Sequence, residues 1–156
     1  MARYSVSWSG LLLAAASTSK TMVQLVTPST AQVRIIELSV STTDTTTTDS
    51  PVEVILQRQT TAGTASAGTV SIDNVTTLAA GTTGQTNFTV EPVAGAVLRR
   101  WKIPINGGLV YCVWPYAREP EMDVSTRLGV TVTSGTTITA ANTACSGTIV
   151  FEGMGG

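Results

Sequence analysis

Histidine is absent from all 156 residues. Its absence removes the side chain that most often serves as a general base near neutral pH, and the commonest metal ligand. It also excludes a Ser-His-Asp or Cys-His nucleophile system. Charge is scarce as well: nine Lys and Arg stand against ten Asp and Glu, 12% of the chain, for a net charge of −1. Arg99-Arg100 is the one adjacent basic pair. That is no electrostatic footprint for nucleic acid, which needs clustered cations. No run approaches the roughly 20 apolar residues of a membrane-spanning helix. Neither nucleic acid nor membrane is therefore expected as a partner. No G-x-S-x-G, P-loop or G-x-G-x-x-G motif is present. No enzymatic activity and no cofactor are expected. The two cysteines, Cys112 and Cys145, form no metal-ligand spacing. They read as two buried thiols or as one disulfide between neighbouring strands.

What the chain has instead is threonine, 28 residues of it, a type suited to pleated surfaces. Short apolar stretches alternate with polar residues, separated by turn signals, and no amphipathic helix of any length is visible. This pattern predicts an all-β fold over residues 1–156. The architecture expected is a single antiparallel β-sandwich or jelly-roll-like barrel of roughly 8–10 strands. Tyr4, Val6 and Trp8 alternate with serines and read as the face of a first strand. Leu11–Ala16 is either a helical turn or a continued strand. Arg3 with Leu11–Ala16 imitates a short secretory signal, but the alternation ahead of it keeps residues 1–16 in the fold. Further strands are expected at Thr21–Thr27, Gln32–Ser41, Val52–Gln59, Thr69–Ile72, Thr126–Thr133, Thr136–Ala140 and Thr148–Glu152. In Gln32–Ser41, strict alternation places Val33 and Ile35 opposite Leu38 and Val40. Loops are expected at Thr42–Ser50, Thr60–Gly68, Asp73–Thr86 and Ala117–Asp123, with a break around Cys145 and a flexible tail from Gly153 to Gly156.

Bulk concentrates between Glu91 and Tyr116. Two apolar runs, Ala96–Ile105 and Leu109–Tyr116, flank Asn106-Gly107-Gly108. Asn-Gly is a strong hairpin signal because both residues tolerate positive φ, so a central hairpin is predicted here. Trp101, Trp114, Tyr111 and Tyr116 lie in it, beside Arg99-Arg100. Such aromatic residues anchor cores or subunit interfaces; with Trp8 and Tyr4 they are also the material of a sugar-stacking platform. Glu119, Glu121 and Asp123 would share one face of a strand, as in some carbohydrate or Ca²⁺ sites. The other reading is a solvated acidic loop beside Arg118 and Arg127. Two glycosylation sequons, at Asn74 and Asn87, arise easily by chance in so Thr-rich a chain.

Several segments together resemble the small capsid decoration (cement) proteins of tailed bacteriophages. They are the opening MARYSVSWSG, the element VEVILQRQTTAGTASAG, the phrase EPVAGAVLRRWKIPING, and the closing pair LGVTVTSGTTIT and GTIVFEG. YCVWPYAREPEMD departs from the pattern. The resemblance implies a β-rich structural module on the outer surface of the virion capsid. Its partner would be the major capsid protein, with neighbouring capsomers bridged and a homo-oligomer, dimer or trimer, on the head. The interface anchors expected are Arg99, Arg100, Trp101, Trp114 and Tyr116. The rival expectations are a carbohydrate-binding or adhesin module and a carboxylate-based enzyme.

Overall fold

The computed structural model describes residues 2–13, 16–45, 50–72, 81–138 and 143–154. Its strands are β1 (Arg3–Leu12), β2 (Ser19–Val26), β3 (Gln32–Thr43), β4 (Val52–Gln59), β5 (Thr64–Gly68), β6 (Val70–Ile72), β7 (Thr83–Val90), β8 (Ala94–Ile103), β9 (Leu109–Val113), β10 (Glu121–Met122), β11 (Arg127–Thr133) and β12 (Ala144–Met154). Two antiparallel sheets pack face to face. The first runs β6–β1–β12–β3, with β9 and β10 both along the far side of β3; the second runs β5–β7–β2–β11–β4–β8.

One long ribbon underlies both sheets. β1 pairs with β12, β2 with β11, β3 with β9 and β4 with β8. Along each arm of the ribbon, successive strands alternate between the sheets. The result is β1–β12–β3–β9 over β2–β11–β4–β8, the jelly-roll order. The all-β sandwich expected from the sequence is thus the fold found, with more strands than expected. The surplus includes an insertion at the ribbon's tip: β6 joins β1 and β7 joins β2, which widens both sheets on one side.

The insertion corrects two loop expectations, since Thr64–Gly68 is a strand and Thr83–Thr86 begins another, β7, that runs to Val90. Their Thr, Gly and Gln residues show no apolar alternation, yet pairing needs only backbone groups. Glycine has a steric role here. A Cβ on Gly84 would come within 2.8 Å of a Val6 methyl across the sandwich. Residues 73–80, with the first sequon, lie outside the described residues.

Tyr4, Val6 and Trp8 are buried together, as alternation predicts. The Tyr4 ring stacks on Phe151 of β12 at 5.6 Å between centroids. In β3, strict alternation fails. Val33, Ile35, Leu38 and Val40 are all buried in one core. The register slips between Val150 and Phe151, so Glu37 and Ile35 are paired while Ile36 is the extra residue of a bulge. One extra residue reverses the facing of everything beyond it.

The predicted central hairpin does not form. β8 pairs with β4 and β9 with β3, in opposite sheets. Residues 104–108 are a corner between sheets, and only Gly107 there has positive φ, +68°. A two-residue type I′ hairpin needs it at both positions. Thr42 secures the corner. Its N–H donates to the Gly108 carbonyl at 2.9 Å, and its own carbonyl accepts the Gly107 N–H at 3.1 Å. Its hydroxyl donates to the Pro104 carbonyl at 2.9 Å. Thr42 is 1% exposed, so it belongs to the core edge rather than to an exposed loop. Thr42→Val is expected to lower stability by about 1 kcal/mol, the usual worth of one such bond, read as a shift in the urea midpoint.

The ends of other predicted elements move too. Residues 46–49 lie outside the described residues, but Thr42 and Thr43 belong to β3. Cys145 sits inside a continuous β12 rather than at a break, and Gly153 and Met154 are paired with Val33 and Gln32 rather than forming a tail. Met122, in the window read as an exposed loop, is fully buried. Thr136–Ile138 is not a strand.

Candidate interaction surface

β8 and β9 both end their sheets on the same side of the sandwich, opposite the insertion, and neither outer edge is paired among the described residues. The stretch from Glu91 to Tyr116 therefore builds most of one open side, with β10 completing the edge of the first sheet. Register decides which way each side chain points. Trp101 lies opposite Val54, and Arg100 opposite Ile55. Trp101 consequently turns inward, half-buried against the core. Arg100 turns to the outer face, where its Nη1 pairs with Glu53 Oε2 at 2.9 Å. Arg99 is exposed at a bulge in β8 and donates to the carbonyl of Leu98.

The five expected anchors are thus not one cluster. Arg99 and Arg100 are on the open side and Trp101 lines it from within. Trp114 is 7% exposed, in the core, with little surface left for a partner. Tyr116, 82% exposed, lies over the outer face of the first sheet, with the Arg34 guanidinium 5.6 Å from its ring centre.

Arg34 is also the hub of an ion network across β3, β12 and β1. Its Nη2 and Nε donate to Glu152 Oε2 at 2.8 and 3.1 Å. Arg3 Nη2 donates to the other oxygen at 3.2 Å. The Arg34 hydrogen bonds, aided by Arg3, hold the Glu152 carboxyl below the usual carboxylate range against the effect of burial.

Glu119, Glu121 and Asp123 do not converge as strand alternation would have them. Glu119 lies 4.0 Å from Arg34. Glu121 is exposed, and its backbone carbonyl accepts from Arg58. Asp123 accepts from Gln32 Nε2 and from the Val124 N–H, both at 2.8 Å. These bonds, the Gln32 one foremost, pull the Asp123 carboxyl down. A cleft of about 200 Å³ does bring Glu121 and Asp123 together with Gln32 and Arg58. The shift of Asp123 is opposite to that of a general acid, which must hold its proton near neutral pH. Among the described residues no group of His, Cys, Asp or Glu has the arrangement of a metal site. A larger cleft, about 380 Å³, opens at one end of the sandwich between Ser50, Glu53, Lys102, Thr133, Ser134 and Thr136.

Both thiols are free. Burial pushes Cys145 up to about 11. Burial also raises Cys112, opposed by the charge of Arg99.

Two features escaped the sequence reading. The first is an exposed apolar row along β9, with Leu109 and Tyr111 each 63% exposed and Val113 52%. Alternation was present, but Val110, Cys112 and Trp114 make the other face apolar as well, so the pattern could not show which face is inside. The second is a buried polar cluster on the outer face of the second sheet. Gln24 Nε2 donates to Gln59 Oε1 at 2.7 Å, Gln59 Nε2 to Thr21 at 3.1 Å, and Gln57 Nε2 to Thr131 at 3.0 Å. Comparison with known proteins gave no match: no family model, no curated protein and no solved structure is significantly similar to this chain.

Proposed function

We propose that the chain is a non-enzymatic structural protein of a tailed-phage virion. It docks on the outer surface of the head, contacts the major capsid protein and holds neighbouring capsomers together. The observation that carries this reading is the open side. Edge strands are ordinarily guarded by charges, prolines or bulges. β9 has none of these and exposes Leu109, Tyr111 and Val113. An edge of this kind suits a protein that spends its life covered by an assembly. The phrases shared with capsid decoration proteins point the same way, and EPVAGAVLRRWKIPING supplies β8 and its corner. Clamping needs many modest contacts repeated by symmetry, which raise avidity without any strong single site. Attachment as a dimer or trimer belongs to the same proposal.

The carbohydrate-binding or adhesin reading draws less support. A sugar platform needs several exposed, coplanar rings, and of the six candidates Tyr4, Trp8 and Trp114 are core residues and Trp101 is packed against the core, which leaves Tyr111 and Tyr116.

The test is to mix the purified chain with empty heads built from a tailed-phage major capsid protein, then look for co-sedimentation and added density. Arg99→Glu is expected to lower head affinity about tenfold with the melting temperature unchanged, because Arg99 is exposed and, among the described residues, bonds its neighbour's carbonyl alone. Trp101 is unsuitable as a reporter, since its removal also opens the core. Failure of the unmodified chain to bind any head removes the proposal.

A further inference from the structure

The backbone of β9 has a definite polarity across its width. At one end, the Gly108 carbonyl accepts from Thr42 of β3; at the other, the Trp114 N–H donates to the Ile36 carbonyl at 3.1 Å. Between them Val110 lies opposite Val40 and Cys112 opposite Leu38. Antiparallel pairing alternates bonded and non-bonded residues. The backbone groups of Val110 and Cys112 therefore face β3, and those of Leu109, Tyr111 and Val113 face the open side. Three N–H and three C=O groups are presented there, and no strand among the described residues receives them. The same three residues carry the exposed apolar side chains. The ladder and the apolar row thus address one neighbour.

Charge then selects the neighbour. β9, LVYCV, bears no charge. β8 in the other sheet turns Arg100 and Lys102 to its outer face but brings the exposed Arg99 near Cys112 of β9, and Arg99 has no carboxylate partner among the described residues. A second copy paired antiparallel about Tyr111 would bring Arg99, whose charge acts on Cys112 of β9, towards its own counterpart. Like charges so placed oppose association. A segment carrying carboxylates would meet them favourably.

We infer that the open edge of β9 accepts, as an added strand, an extended segment of another protein in which apolar residues alternate with carboxylates. Apolar side chains of the segment lie against Leu109, Tyr111 and Val113, as cross-strand neighbours do. Its carboxylates on the inward face reach Arg99. The main-chain ladder supplies affinity and the alternating side chains supply selectivity. The inference rests on the docking reading for its setting and names the contact by which docking occurs.

The probe is a short peptide alternating valine with glutamate, added to the full chain and followed by amide-resolved NMR. The expected result is perturbation and slowed exchange at Leu109, Tyr111 and Val113. A matched peptide with lysine for glutamate should bind at least about tenfold more weakly. Tyr111→Pro should reduce binding of the acidic peptide by a similar factor. It leaves the fold intact, because the Tyr111 N–H points away from β3 and proline is tolerated on an edge of that kind. Any of three results overturns the inference: no change at these amides in millimolar acidic peptide, equal binding of the lysine peptide, or equal binding by Tyr111→Pro. A concentration-dependent dimer that protects the same amides without peptide also overturns it, by giving the edge to a second copy. Head binding is read separately. Full head occupancy by Tyr111→Pro removes β9 as the docking strand and leaves the capsid proposal standing. Peptide binding without head binding by the unmodified chain does the reverse.

Discussion

Gly147→Val is expected to destabilise the protein by about 3 kcal/mol or more. Gly147 lies in β12, opposite Trp8 on one side and Val40 on the other. An ideal Cβ there would run into the Ser39 carbonyl oxygen of β3 and into the six-membered ring of Trp8. The first obstacle is backbone and cannot yield without parting β3 from β12. The second is an indole packed in the core, 5% exposed. Both sheet pairing and core packing would have to shift together. Gly153→Ala is the control, since a Cβ at Gly153, in the same strand, meets nothing within 4 Å. Urea unfolding of the two variants should separate them clearly. Similar midpoints would show that Trp8 does not occupy the space above Gly147.

Glu152→Ala is expected to cost about 3 kcal/mol at neutral pH, because it strips the carboxylate from two guanidinium groups in a largely desolvated place. The Glu152 side chain is 9% exposed and that of Arg34 15%. The folded-state carboxyl is held down by Arg34, so it binds protons less readily than in the unfolded chain. Its contribution is therefore complete above the ordinary carboxylate range, and it is lost as pH falls through the lowered folded-state value. The gap in stability between the unmodified chain and the variant should shrink on acidification. Glu152→Gln, which cannot titrate, should show a flatter acid limb. A gap that stays constant from neutral pH down to strong acid would mean that Glu152 acts through packing and not through charge.

Where sequence reading succeeded, it relied on a local cue tied to one face. Tyr4, Val6 and Trp8 could be assigned because serines mark the opposite face. It failed where the decisive partner is far along the chain. Asn106-Gly107 carries a real turn signal, but whether the flanking strands pair with each other depends on β3 and β4, and Thr42 redirects the corner. The bulge at Ile36 is likewise set by β12. β5 and the first half of β7 left no apolar trace because they are held by backbone pairing at the edge of an existing sheet; only Phe88 and Val90 mark the end of β7. The candidate surface was half legible. The stretch from Glu91 to Tyr116 was singled out, and it does form one side of the molecule. Aromatic character alone could not separate Trp114, which is core, from Tyr116, which is surface. The apolar row on β9 was hidden by its own uniformity.

The rolled ribbon also imposes an order in time. Its pairings are nested, from β4 with β8 at the tip to β1 with β12 at the ends, where Arg3 meets Glu152 across a separation of 149 residues. Each outer pair closes a longer loop than the one inside it, and loop closure grows costlier with length. Folding should then advance from the tip outward, and a chain emerging from the ribosome cannot complete the first sheet until β12 has been made. Meanwhile the slot between β1 and β3 stands open, lined by Val6, Trp8, Leu38 and Val40. Nascent chains stalled before β12 has left the ribosome should be sticky and protease-sensitive, and those in which residues 144–154 have emerged should not.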